Sequence, residues 1–101
     1  MTSFINNAIL KYKQKKLNQD LESLMCDITD EHIRVLAHIK DGTMAKRDAY
    51  TLLDCTCKYC FNQLHKLSSK YGVNIKPNKS LQRALDNIKT TMNHLQISIT
   101  V

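Results

Sequence analysis

Apolar residues recur along this chain at the spacing of α-helices. Near the N-terminus two rows advance in steps of three, four or seven residues, and they predict a first helix over about 3–26 with Ser3 as its N-cap. The rows are Ile5, Ile9 and Tyr12, and Leu10, Leu17, Leu21 and Leu24. The first quarter of the chain is therefore expected to form one long amphipathic helix.

A second, shorter helix is predicted over about 29–41, capped by Thr29 and ended by Gly42. Three acidic residues lie at this helix start: Asp27, Asp30 and Glu31. They could be interpreted as a carboxylate site, but the preference for acidic side chains at a helix start explains them better. The inward row of this helix is expected to contain Ile28, His32, Val35, Leu36 and Ile39.

The clearest helical pattern lies in the middle of the chain. Seven residues step by three or four along one face of a helix predicted over about 43–71, with Thr43 as its cap and Gly72 as its stop. They are Ala49, Leu53, Cys57, Cys60, Leu64, Leu67 and Tyr71. A linker over 73–79, which holds the one proline, follows this helix.

Ser80 is expected to cap a fourth helix over about 80–96, with the row Leu81, Leu85, Ile88, Met92 and Leu95. Beyond it, β-branched residues alternate in the manner of a strand, and the chain offers no partner strand. The apolar members of this tail are Ile97, Ile99 and Val101. The tail is expected either to fray or to add to a sheet edge of another chain.

Composition agrees with a helical fold. Two glycines and one proline in 101 residues are too few for the many turns of a sheet protein, and 43% hydrophobic with 24% charged residues is ordinary for a globular chain. We therefore predict an all-α protein: one domain over 1–101, a small bundle of three to four amphipathic helices with a short extended C-terminal tail. No signal-peptide pattern or membrane-length apolar run occurs, so an intracellular, non-secreted protein is expected.

Cysteines and histidines form the most unusual local cluster. Cys55, Cys57 and Cys60 lie within six residues and His65 follows, and thiolates with imidazoles are the ligands of structural zinc. Cys26 or His32 could complete such a set. On one helix, however, Cys55 would point about 160° away from Cys57, and His65 about 140° away from Cys60.

The alternative is that Cys57 and Cys60 are core residues, since free cysteine packs as a small apolar side chain. We favour this interpretation, with structural Zn²⁺ at the cluster as the alternative and otherwise no cofactor. His32 is likewise better explained as a hydrogen-bonded core or interface histidine. Because Cys60 and His65 would not face each other and no glycine-rich phosphate loop exists, a non-catalytic protein is expected.

Charge is unevenly distributed along the chain, although the net charge is +6. Residues 1–19 contain four lysines and no acid, residues 20–54 contain eight acids and four bases, and residues 55–101 contain seven bases and one acid. The candidate contacts to nucleic acid or to an acidic partner are Lys11, Lys13, Lys15, Lys16, Lys66, Lys70, Lys76, Lys79 and Arg83. Lysines predominate, which favours weak, sequence-independent association over the reading of bases.

Helices of more than twenty residues in so small a domain cannot all be covered along their length, so apolar surface is expected to bind another chain.

The compact Cys55, Cys57 and Cys60 cluster, with abundant Lys, Asn, Ile and Thr, resembles the small nucleocapsid-associated proteins of baculoviruses, large DNA viruses of insects. That resemblance implies assembly with capsid proteins in the nucleus and the virion. The first functional hypothesis is thus a structural or adaptor subunit that forms hetero- or homo-oligomers. The alternative is a basic nucleic-acid-associated module, which zinc at the cysteine cluster could stabilise.

Overall fold

The computed structural model describes the backbone of residues 2–100 and the side chains of residues 8–99. The described chain consists of three α-helices: α1 over Thr2–Asp41, α2 over Lys46–Tyr71 and α3 over Lys79–Thr100. No strand occurs among the described residues. The all-α class is therefore confirmed. The side chains of Ser3 and Ile5, and the whole of Val101, lie outside the described residues.

The predicted break between a first and a second helix is wrong, because α1 is continuous over its 40 residues. Neither glycine nor proline occurs within it, so nothing in the backbone opposes its continuation. The buried residues Leu24, Ile28 and Val35 carry one helical row straight through the expected gap. Thr29, Asp30 and Glu31 are therefore interior helix residues rather than a cap and a first turn.

A tight turn joins α1 to α2. Gly42 adopts φ 71°, the left-handed conformation that ends α1 as predicted. The Thr43 backbone N–H donates to the His38 carbonyl oxygen at 3.0 Å. Thr43 thus closes the end of α1 and does not cap α2, whose N-cap residue is Ala45 and makes no side-chain cap bond.

A longer connection joins α2 to α3. Gly72, at φ 68°, ends α2 as predicted, and its N–H donates to the Ser68 carbonyl oxygen at 2.9 Å. The cap of α3 is Asn78 rather than the predicted Ser80, because the Asn78 side-chain oxygen accepts a hydrogen bond from the Leu81 backbone N–H at 2.9 Å. Ile75 in the connection is buried, which holds the loop against the bundle.

The prediction of an extended tail is wrong, since α3 continues through Ile97 to Thr100. Leu95 is buried and Ile99 is half-buried, so the helical row of α3 extends four residues beyond its predicted end. Burial on this row prevails over the strand preference of β-branched residues. Ile97 and Ile99 therefore do not present a free strand edge.

Apolar rows from the three helices form one core. The predicted rows of α2 and α3 are buried or half-buried throughout, and on α1 the core is formed by Leu21, Leu24, Ile28 and Val35. Leu36 was expected in this row but is 41% exposed. None of the described helices is both long enough and apolar enough to cross a membrane.

The helices run up, down and up. The Tyr71 hydroxyl at the end of α2 contacts Asp20 of α1, so α2 is antiparallel to α1. His32 contacts Thr91, and Leu21 and Met25 lie beside the start of α3, so α3 is parallel to α1. The molecule measures 65 × 20 × 18 Å, because α1 is much longer than its two neighbours.

Candidate protein-interaction surface

The first part of α1 projects beyond the bundle. Packing against the other helices begins at the half-buried Leu17, and every described side chain before it, Ala8 to Lys16, is exposed. We call residues 2–16 of α1 the arm. Ile9 is 47% exposed, Leu10 62% and Tyr12 63%. The arm thus presents large apolar side chains and four lysines to solvent.

A shallow groove runs between α1 and α2 on one side of the bundle. Its α1 wall consists of Asp20, Ser23, Leu24, Asp27, Ile28 and Glu31. Its α2 wall consists of Leu52, Cys55, Thr56, Tyr59, Gln63, Leu67 and Lys70. We call this feature the α1–α2 groove. Leucine and isoleucine side chains from both helices contribute apolar surface to it, and three carboxylates oppose a single lysine along its sides.

Two of the three carboxylates have partners within the chain. Asp20 accepts a hydrogen bond from the Tyr71 hydroxyl at 2.8 Å and lies 3.6 Å from the Lys70 ammonium group. Glu31 is paired with Arg34, and the hydrogen bond from Arg34 lowers the pKa of Glu31. Asp27 makes no hydrogen bond or ion pair with any described side chain. A cation from outside the chain would find Asp27 available.

The arm and the groove lie on the same side of α1. Because an α-helix turns once in about 3.6 residues, Ile9 and Asp27, eighteen residues apart, are separated by about five whole turns. A single row along this side, which we call the α1 row, contains Ile9, Lys13, Lys16, Asp20, Ser23, Asp27 and Glu31. Its charge changes from basic to acidic between Lys16 and Asp20.

The candidate basic residues gather at one end of the molecule. Lys66 and Lys70 lie in the last turns of α2, Lys76 lies in the connection, and Lys79 and Arg83 lie in the first turns of α3. The arm projects from this same end, with the remaining four residues of the predicted set: Lys11, Lys13, Lys15 and Lys16. Residues far apart in sequence therefore form one positively charged pole.

The predicted zinc ligands are not brought together. Cys57 and Cys60 point into the core, whereas Cys55, Cys26 and His65 are exposed. No three His, Cys, Asp or Glu side chains among the described residues lie close enough to share a metal ion. These residues do not fit the four-ligand site that zinc prefers.

Burial suppresses the chemistry of the two inner thiols. Cys60 is fully buried, and desolvation together with the neighbouring Cys57 raises its pKa to about 11. Burial also raises the pKa of Cys57. Since the thiolate is the reactive form, both side chains act as core residues, as the preferred interpretation predicted.

His32 belongs to the interface between α1 and α3. Its Nε2 lies 2.8 Å from the Thr91 hydroxyl oxygen, and partial burial lowers the pKa of the imidazole. The Thr91 hydroxyl donates its one hydrogen to the Asn87 carbonyl oxygen at 3.2 Å, which leaves His32 Nε2–H as the donor to Thr91. The prediction of a hydrogen-bonded interface histidine is confirmed.

The groove was not predicted from the sequence. The predicted helix start at Thr29 explains Asp27 and Glu31 as capping residues, and the spacing of Tyr59 carries no signal of its own. A continuous α1 would have placed Asp20, Asp27 and Glu31 on one face by their spacing of seven and four.

Comparisons with known proteins give no analogue from which a role could be transferred: no protein-family model, no curated protein and no solved structure matches this chain.

Proposed function

We propose that this protein is a non-catalytic structural or adaptor subunit that binds other protein chains through exposed apolar helix surface. The observation that carries the proposal is the arm, where Ile9, Leu10 and Tyr12 are each about half exposed or more on a stretch of α1 whose described side chains are all exposed. Solvent-facing apolar residues concentrated on one element are typical of binding surfaces.

Charge supports a protein as the partner. The exposed apolar residues of the arm are interspersed with Lys11, Lys13, Lys15 and Lys16, and no acid occurs before Asp20. A basic amphipathic helix fits a groove that has an apolar floor and acidic rims. Assembly with capsid proteins, which the baculovirus resemblance implies, is one setting for such a subunit.

Site-specific photo-crosslinking tests the proposal. A photoreactive amino acid at Tyr12 should form a covalent adduct with a protein in the cells that naturally produce the chain. The matched control is the same group at Asn93, an exposed residue of α3 far from the arm. Equal crosslinking at Tyr12 and Asn93, or none at either, would contradict the proposal.

A second candidate function is association with nucleic acid, and the positively charged pole favours it. Nine basic residues, from the arm, the end of α2, the connection and the start of α3, converge at one end of the molecule. Backbone phosphates are bound by such clusters without regard to base sequence. The affinity for duplex DNA should then fall steeply with salt, with a slope of about −0.9 per phosphate contacted in a plot of log K against log salt.

Charge reversal distinguishes this candidate from the first. Lys76→Glu with Lys79→Glu removes two cations of the pole but leaves the arm intact. If nucleic acid is the ligand, this variant should bind DNA more weakly with a smaller salt slope. Absence of DNA binding by the wild type at low salt would exclude the candidate.

A further inference from the structure

We infer that the α1–α2 groove binds the arm of a second copy of this chain, so that two copies pair antiparallel along their α1 helices. The inference rests on the proposed function, because it names the protein that the exposed arm binds. Three features of α1 support this pairing.

The first feature is the shared face. A two-fold symmetric pair requires that the same surface of each copy both gives and receives the contact. The α1 row meets this requirement, since Ile9 of the arm and Asp27 of the groove lie on the same side of one continuous helix. Two copies laid face to face on this side would place each arm over the other's groove.

The second feature is the position of the charge change. Along the α1 row, Lys13 and Lys16 precede the change and Asp20 and Asp27 follow it. In an antiparallel pair whose two-fold axis passes between Lys16 and Asp20, the lysines of each copy lie along the acids of the other. Parallel pairing would instead juxtapose like charges, which is unfavourable.

The third feature is length. The arm has fifteen helical residues, 2–16, which span about 22 Å at 1.5 Å per residue. The α1 wall of the groove, from Asp20 to Glu31, spans about 16 Å by the same measure. One arm is therefore long enough to cover the groove.

Apolar contacts complete the fit. Tyr59, which is 44% exposed, and the half-buried Leu67 line the groove on its α2 side. Ile9 and Tyr12 supply the matching apolar side chains of the arm. With an arm in each groove, both halves of the dimer acquire the cross-section of a four-helix bundle.

Complementary charge reversal tests the inference. The arm variant carries Ile9→Glu and Lys13→Glu, at positions that lie opposite Asp27 and Ser23 in the antiparallel pair, and the groove variant carries Ser23→Lys and Asp27→Lys. These changes leave the Asp20–Tyr71 and Glu31–Arg34 pairs intact. Sedimentation velocity should show a wild-type dimer, and each variant alone should be monomeric, because both of its arm–groove contacts become repulsive.

An equimolar mixture of the two variants should form a dimer again. In the mixed pair the glutamates of one arm face the lysines of one groove, and the other contact is wild type, so both contacts are attractive. The control variant, Lys76→Glu with Lys79→Glu, should remain dimeric although its net charge changes by more than that of the arm variant. Circular dichroism should show the same helix content for all variants.

A monomeric wild type at every concentration, or variants that stay dimeric, would overturn the inference. Failure of the mixture to restore the dimer would also overturn it. The proposed function fails separately, through the crosslinking result: Tyr12 crosslinked to a different protein in a monomeric wild type would leave that proposal standing and remove only the self-pairing.

Discussion

The hydroxyl group of Tyr71 donates a 2.8 Å hydrogen bond to Oδ2 of Asp20, and this bond ties the end of α2 to α1 one turn below the arm. Lys70 adds to the same contact, with its ammonium group 3.6 Å from the same oxygen and 5.3 Å from the centre of the Tyr71 ring. The bundle is thus closed at the point where the arm leaves it.

Removing the Tyr71 hydroxyl should lower the stability of the bundle. Tyr71→Phe leaves Asp20 with Lys70 alone, so the urea midpoint of unfolding should fall. In the monomeric protein Tyr59→Phe is the matched control, because the Tyr59 hydroxyl has no hydrogen bond to any described side chain and the residue is 44% exposed. A midpoint that falls equally in both variants would show that the Tyr71–Asp20 bond contributes nothing.

The same truncation should cost far more stability in the core than on the arm. Leu85→Ala removes a fully buried side chain and should reduce the free energy of unfolding by about 2–5 kcal/mol. Leu10→Ala removes a side chain that is 62% exposed, and the change should stay within about 0.5 kcal/mol when the chain is monomeric. Urea unfolding monitored by circular dichroism measures both. A large loss for Leu10→Ala would mean that the arm packs on the bundle.

His32 should make the fold less stable in mild acid. Burial lowers its pKa below the ordinary 6.5 in the folded protein, so the unfolded chain binds a proton first as the pH falls. The free energy of unfolding should therefore decrease between about pH 7.5 and about pH 5.5. His32→Gln keeps a hydrogen-bond donor but does not titrate, and should weaken this dependence. His65→Gln, at an exposed site, is the matched control, and identical pH profiles for both variants would contradict the assignment.

Cys60 should tolerate a polar replacement poorly. Cys60→Ser places a hydroxyl where no solvent reaches, at an expected cost of about 1–3 kcal/mol in the free energy of unfolding. Cys55→Ser makes the same change on the exposed side of α2 and should be nearly neutral. If both variants lost the same stability, the cysteine cluster would have a role other than packing.

Thiol reagents should divide the four cysteines into two pairs. Cys26 and Cys55 are exposed in the single chain and should react quickly with a maleimide when the native protein is monomeric. Cys57 and Cys60 are buried with raised pKa values, and they should react only when the bundle opens. Mass spectrometry over time should show two fast additions per chain and two slow ones, and four fast additions would contradict the buried placement.

Regular hydrophobic spacing predicted the core of α2 and α3 correctly. Leu53, Cys60 and Leu85 are fully buried, because each occupies a slot in an unbroken row with a period near 3.6. Helix ends were predicted correctly where glycine determined them, at Gly42 and Gly72. Glycine adopts a positive φ without steric cost, so it marks a helix end in the sequence itself.

The continuation of α1, the helical tail and the groove depend on contacts between segments, and the sequence patterns did not predict them. Thr29 followed by two acids is the pattern of a helix start, yet continuation of the helix buries Ile28 and Val35 on both sides of it. The tail around Ile97 has a strand preference that packing at Leu95 and Ile99 overrides. The groove depends on the juxtaposition of α1 and α2, which no spacing within one segment reveals.

The arm also shows how a helix persists without tertiary contact. An isolated peptide of its length would be a poor helix, because the first turn is costly to form. Here the bundle supplies that turn at Leu17, and the arm only extends it. Amide hydrogen exchange should therefore become faster from Lys16 back to Ala8, with increasing distance from the bundle. Binding of a second copy to the arm should slow this exchange and reduce the difference between the two ends of the arm.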